Sequence, residues 1–112
     1  MDRKQLGKIG ENMAAEVLRN KGYQILRRNY RCRAGEIDII AQRSGELCFI
    51  EVKTRQSFNY GRPCEAVSEE KKKHIRRVAR QYLSDMRSRG YVPRCIDFQI
   101  IEIVVEHNQR AF

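Results

Sequence analysis

Two runs of alternating residues, 36–43 and 46–55, flank the dipeptide Ser44-Gly45. A period of two marks strands, and a short glycine-containing connection between two such strands marks a hairpin. A turn centred on Ser44-Gly45 sets Asp38 opposite Glu51 and Glu36 opposite Lys53. One face of the hairpin then carries Ile37, Ile39, Ala41, Cys48, Ile50 and Val52, all apolar, and is expected to face the core. The other face is apolar near the turn (Ile40, Leu47, Phe49) and charged away from it (Glu36, Asp38, Glu51, Lys53).

Directly opposed carboxylates repel each other across a sheet, and folding gains nothing from such a pair. A hard divalent cation does require them: Mg²⁺ or Mn²⁺ takes one or two carboxylates and keeps several waters. Lys53 lies two residues beyond Glu51, about 7 Å along the same face. An ammonium there suits the positioning of water or of a scissile phosphate, so the set fits metal-assisted phosphodiester hydrolysis. The alternative is a solvent face on which Lys53 and Glu36 simply pair with the acids.

The rest of the chain supplies elements to cover this hairpin. Leu6, Ile9, Met13, Ala14, Val17 and Leu18 recur at helical spacing and predict a helix over about 3–20, stopped by Gly22. Glu11 falls at the edge of that stripe near Gly7 and Ala14, so it can point toward the Asp38–Glu51 end as a further metal-shell acid or simply into solvent. Residues 23–26 read as a short strand, 27–33 as basic and irregular, and 56–64 as a loop. A second helix over about 69–88 starts at a Ser68 cap and carries the stripe Ile75, Val78, Ala79, Tyr82, Leu83, Met86. Gly90 ends it. A last strand over about 95–105 shows Ile96, Phe98 and Ile100 on one side. The order helix–strand–hairpin–helix–strand predicts one α/β domain over 1–112, with helices flanking a mixed sheet.

Charge narrows the partner. The 112 residues carry 23 Lys+Arg against 14 Asp+Glu, a net +9, which favours a polyanion. Arg31, Arg33 and Arg55 flank the hairpin, and Lys71, Lys72 and Arg76 lie on the second helix, as expected of contacts to a nucleic-acid backbone. Tyr30, Phe58 and Tyr60 are interleaved with the basic loops and could stack on bases. The N-terminus has no signal-like apolar segment and no run is long enough to span a membrane, which predicts a cytoplasmic chain with reduced thiols and no membrane partner. Cys32, Cys48, Cys64 and Cys95 have no CxxC spacing, and His74 and His107 are isolated, so a zinc site is not expected.

Three stretches carry a resemblance: Gly7-x-x-Gly10-Glu11, Asn29 through Asp38, and Phe49-Ile50-Glu51-Val52-Lys53-Thr54-Arg55. With Gly61, Ala66-Val67, Lys71, Ala79 and Tyr82-Leu83, they resemble the YraN-like family of small bacterial proteins. That family looks like a branch of the restriction-endonuclease-like superfamily, near the archaeal Holliday-junction resolvases. The resemblance implies a restriction-endonuclease-like α/β fold and a Mg²⁺-dependent endodeoxyribonuclease of PD-(D/E)xK type, acting on DNA that is branched or structured. It assigns Asp38, Glu51 and Glu11 to the metal, with Lys53 as catalytic lysine, and by analogy suggests a homodimer. The sequence departs from the pattern at Ile37, where the superfamily has proline, and at Cys95, where the family shows arginine. The competing expectation is a non-catalytic nucleic-acid-binding module, or a subunit of a DNA-processing complex.

Overall fold

Helix α1 (Arg3–Asn20) opens on a capping box: Asp2 accepts from the Gln5 amide at 2.8 Å while the Gln5 side chain accepts from the Asp2 amide. The structure, a computed structural model, describes residues 2–56 and 67–112. Strands β1 (Gln24–Cys32), β2 (Gly35–Arg43) and β3 (Glu46–Gln56) follow, then helix α2 (Glu69–Ser88) and strand β4 (Cys95–Val105). The four strands form one mixed sheet in the order β1-β2-β3-β4, antiparallel except that β4 runs parallel to β3. A parallel neighbour needs a long crossover, and α2 supplies it. No helix among the described residues is long and apolar enough to cross a membrane.

The β2–β3 turn is where the sequence puts it. Ser44 and Gly45 both take positive φ (51° and 78°), as a two-residue primed turn requires. The ladder runs from Arg43–Glu46 to Ile39–Ile50 in the expected register. The start of β4 is tied to this turn, where Arg94 donates from its amide to the Gly45 carbonyl and from its guanidinium to the Ser44 carbonyl, both at 2.9 Å.

Both faces of the hairpin are buried, not one. Ile39, Ala41, Cys48 and Ile50 pack with Ala14, Ala15 and Leu18 of α1. Ile40, Leu47 and Phe49, on the face expected to be mixed, pack with Val78, Ala79 and Tyr82 of α2 and are almost wholly buried. Each such side chain contributes roughly 1.5–3 kcal/mol by leaving water, so two helices flanking three local strands give a sandwich with two cores. Ile37 corrects the expected alternation: it packs on the α2 side although Ile39 packs on the α1 side. Asn29 on β1, with φ 52°, lies between the Arg28–Ile39 and Tyr30–Ile37 pairs, and the face slips at the intervening Asp38.

Two further expectations are revised. Residues 27–32 are not irregular but continue β1 along β2, with arginines 28 and 31 outward on an edge strand that can keep charges in water. In α1 the contact face is centred on Gly10, Ala14, Ala15 and Leu18, while Ile9, Met13 and Val17 are left substantially exposed. The cause is close approach: a Cβ on Gly10 would stand 1.7 Å from Thr54 Oγ1 on β3. Small residues, not the largest apolar ones, therefore meet the sheet. Residues 57–64 of the expected loop lie outside the described residues.

Candidate active site

The β2–β3 ladder stops at Ile39–Ile50, one pair before Asp38 and Glu51 would meet. The expected direct opposition of these two acids, and of Glu36 and Lys53, is therefore replaced by a fork between diverging strands. At its vertex the Asp38 carboxylate substitutes for a backbone acceptor, with Oδ2 taking the Val52 amide at 2.7 Å. That bond fixes Asp38 at the mouth of the fork.

Three elements bring three carboxylates to this place. Glu11 from α1, Asp38 from β2 and Glu51 from β3 line one open cleft of about 630 Å³, beside the first turn of α1. Glu11 is half-buried. The close Gly10–Thr54 contact is what carries Glu11, one residue on, to the sheet. Burial pushes the Asp38 carboxyl up from 3.8 to about 6; Glu51, Glu11 and Glu36 push the same way, and the Val52 amide opposes them. Glu51 is held by Lys71 of α2, whose Nζ stands 2.8 Å from Oε1. The hydrogen bond to Glu51 holds the Lys71 ammonium above its ordinary value, although burial opposes it. Sequence reasoning gave Lys71 to the nucleic-acid backbone; its partner in the structure is the acid site.

The other candidates divide. Arg55 lines the same cleft and pairs with Glu102 of β4 at 2.5 Å. Lys53 is half-buried two residues beyond Glu51, level with Glu102 in the parallel ladder, and is not among the described residues lining the cleft. Arg31 pairs with Glu36 at 2.7 Å and lines a second groove, also about 630 Å³, that shares Glu11 with the first. That groove is basic, with Arg3, Lys4 and Lys8 on α1 and Arg28 on β1. Sequence reasoning passed over the α1 cations, although Lys4, Lys8 and Glu11 recur at helical spacing. Lys72 pairs with Glu69 at 3.0 Å and, with Arg76, rims a mostly apolar cavity between α2 and β4 that reaches Glu51 and Phe98. Arg33 is exposed at the β1–β2 turn, in neither groove. Tyr30 is not available for stacking on bases. It is buried, edge-on to Tyr82 at 5.2 Å between ring centroids. Phe58 and Tyr60 lie outside the described residues.

A second group of metal-competent side chains lies elsewhere on the sheet. Glu46, Cys48 and Asp97 hold their ligand atoms within 4.8 Å of one another and could bind a metal ion. Parallel pairing sets Cys48 beside Asp97, and no short sequence spacing reveals that. Cys32, Cys48 and Cys95 are free thiols.

The model of a family described as "Uncharacterised protein family UPF0102" matches residues 10–103, a span that includes Glu11, Asp38, Glu51, Lys53 and Lys71. The chain is 44% identical over 111 residues to a UPF0102 protein of Moorella thermoacetica, covering 99% of this chain and 90% of that one. It is 45% identical over 116 residues to one from Alkaliphilus oremlandii, covering 97% and 98%. A third, from Caldicellulosiruptor saccharolyticus, is 40% identical over 103 residues, covering 92% and 85%.

Proposed function

The chain belongs to the uncharacterised protein family UPF0102, and from the geometry of its acidic cleft we propose that it is a metal-dependent nuclease hydrolysing DNA phosphodiester bonds. The observation that carries this reading is the convergence of Glu11, Asp38 and Glu51, from three separate elements, on one open cleft. All the ionisable donors there are carboxylates, with no thiol or imidazole among the described lining residues. Such a set suits Mg²⁺ or Mn²⁺. Bound there, the cation would polarise a phosphate and lower the pKa of a coordinated water.

The chain's own residues would divide the work. Asp38 keeps one carboxylate oxygen on the Val52 amide, which leaves the other for the cation. Glu51 and Glu11 supply the opposite walls. Lys71 neutralises Glu51 in the resting site and stands where its ammonium can turn to a phosphate oxygen once the carboxylate is otherwise engaged. Lys53, next along the strand, is the lysine of the Glu-x-Lys pattern and would orient the attacking water from the cleft's edge. The basic groove of Arg3, Lys4, Lys8, Arg28 and Arg31 would hold the DNA backbone, because it opens beside Glu11.

A non-catalytic nucleic-acid-binding module, or a subunit of a DNA-processing complex, is the second reading. The Lys71–Glu51 pair favours it, because it occupies one of the acids the reaction needs. A cleavage panel over single-stranded, duplex, flap and four-way DNA separates the two. The nuclease reading expects cleavage with Mg²⁺ or Mn²⁺ that is lost with chelator and abolished in Asp38→Asn. DNA binding without cleavage of any substrate establishes the module, and an Asp38→Asn protein as active as wild type overturns the assignment of the site.

A further inference from the structure

Glu46, Cys48, Cys95 and Asp97 form a compact block on the β3–β4 seam, at the turn end of the sheet. In the parallel ladder Glu46 is level with Cys95 and Cys48 with Asp97. Residues level with each other, or two apart on a strand, share a face, so all four project to the side covered by α1. Glu46 is the hub: Oε1 accepts from Cys48 Sγ at 3.3 Å and Oε2 from Cys95 Sγ at 3.6 Å. Glu51 lies five residues further along β3, about 16 Å away and on the opposite face, so this block is separate from the acidic cleft.

Two observations make it more than a polar patch. The first is charge. Two carboxylates converge on a wholly buried thiol, yet among the described residues neither Glu46 nor Asp97 joins an ion pair. The second is geometry and donor type. Ligand atoms of a tetrahedral zinc ion, with Zn–S near 2.3 Å and Zn–O near 2.1 Å, stand about 3.4–3.8 Å apart. The Glu46 Oε1–Cys48 Sγ separation, 3.3 Å, is within a few tenths of an ångström of that range, and the Glu46, Cys48 and Asp97 ligand atoms all lie within 4.8 Å of one another. Gln99 adds an outer partner, its amide nitrogen donating to Asp97 Oδ2 at 3.0 Å and to Cys48 Sγ at 3.6 Å. Such outer contacts orient ligands in metal sites.

We propose that Glu46, Cys48 and Asp97 bind a thiophilic divalent cation of the zinc class, with water at the remaining position. Binding releases the Cys48 thiol proton to solvent and clamps β3 to β4 across the seam. Mg²⁺ does not compete, because a hard ion has no use for thiolates.

The test uses Co²⁺ as a spectroscopic stand-in for zinc, added to the whole purified chain under a non-thiol reductant. The expected result is an intense near-ultraviolet thiolate-to-cobalt charge-transfer band that saturates at one equivalent when excess Mg²⁺ fills the acidic cleft. The band survives excess Mg²⁺, is displaced by Zn²⁺, and persists in Cys32→Ser. It is lost in Cys48→Ser and weakened at least tenfold in apparent affinity in Asp97→Asn. Cys48 is buried, so its variant is compared by circular dichroism. If that variant does not fold, Asp97→Asn and Glu46→Gln decide the matter. No thiolate band in the wild-type protein overturns the proposal, as does a band unchanged in the folded Cys48→Ser or Asp97→Asn protein.

Discussion

Replacing Asp38 by asparagine should make the metal-free protein more stable, although it removes a residue of the candidate site. The reason lies in the native environment. The carboxyl is pushed from 3.8 to about 6, first by burial and then by Glu51, Glu11 and Glu36. The folded state therefore holds the proton more tightly than the unfolded chain. Below pH 3.8 both states are protonated and the site costs nothing. As pH rises toward 6 the unfolded chain ionises first, and stability is lost until the native carboxyl has ionised too. At about 1.4 kcal/mol per pH unit the shift corresponds to at most about 3 kcal/mol. The carboxyl is partly in contact with water, and screening reduces this to about 1–1.5 kcal/mol. Asparagine keeps an acceptor for the Val52 amide and loses only its charge-assisted part, roughly 0.5 kcal/mol. The expected net gain is about 0.5–1 kcal/mol, or about 2–4 °C in Tm, near pH 8 with chelator present. Urea unfolding of both proteins from pH 4 to 8 reads the effect as a difference, to which Glu51, Glu11 and Glu36 contribute through their coupling to Asp38. The gain should shrink to nothing near pH 4. A variant no more stable than wild type at pH 8, or a gain that ignores pH, would refute the reasoning.

Other outcomes follow from the same structure. Gly10→Ala should destabilise by at least about 2 kcal/mol, since its Cβ would overlap Thr54; Thr54→Ala should recover part of the loss, and thermal melts of the two singles and the double check the coupling. Lys71→Ala removes a cation 2.8 Å from Glu51, so calorimetric titration should show tighter Mn²⁺ binding; unchanged or weaker binding would mean that lysine and metal do not share the carboxylate. Arg28→Ala, in the basic groove beside Glu11, should weaken binding to all DNA sequences alike and lower the log–log salt slope by about one, read by fluorescence anisotropy across a salt series.

The two helices and the Ser44-Gly45 hairpin were legible because local chemistry fixes them. Helical spacing marks the first helix, Ser68 caps the second, the glycines stop both, and alternation sets register as far as Ile39–Ile50. Residues 27–32 were not, because a run of arginines reads as loop unless it is known that β1 is an edge strand with solvent beside it. The face slip at Asp38 was invisible as well. Period-two reasoning assumes unbroken alternation, which lapses at Asp38, across from the positive φ of Asn29, while the β1–β2 register holds on either side. Of the site, residue type and spacing singled out Glu11, Asp38 and Glu51. The fork that seats Asp38 on the Val52 amide, and the Lys71–Glu51 pair across two elements, depend on tertiary distances. The thiol–carboxylate block was hidden for the same reason, since its members come from strands joined only through α2.

The parallel seam also orders the events by which the chain folds. The β1–β2–β3 meander closes through short turns, whereas Glu46 meets Cys95 only across 49 residues. Closing a loop of that length costs on the order of 3 kcal/mol in chain entropy, so the seam forms after the meander. During synthesis Glu11, Asp38 and Glu51 have all emerged before α2 and β4 exist. Through that interval the long outer edge of β3 presents unpaired amides and carbonyls, a template for a foreign strand. β4 is thus the meander's own protective strand, and its arrival at the Ser44-Gly45 turn, where Arg94 latches, is the step that removes the nascent chain from the risk of aggregation.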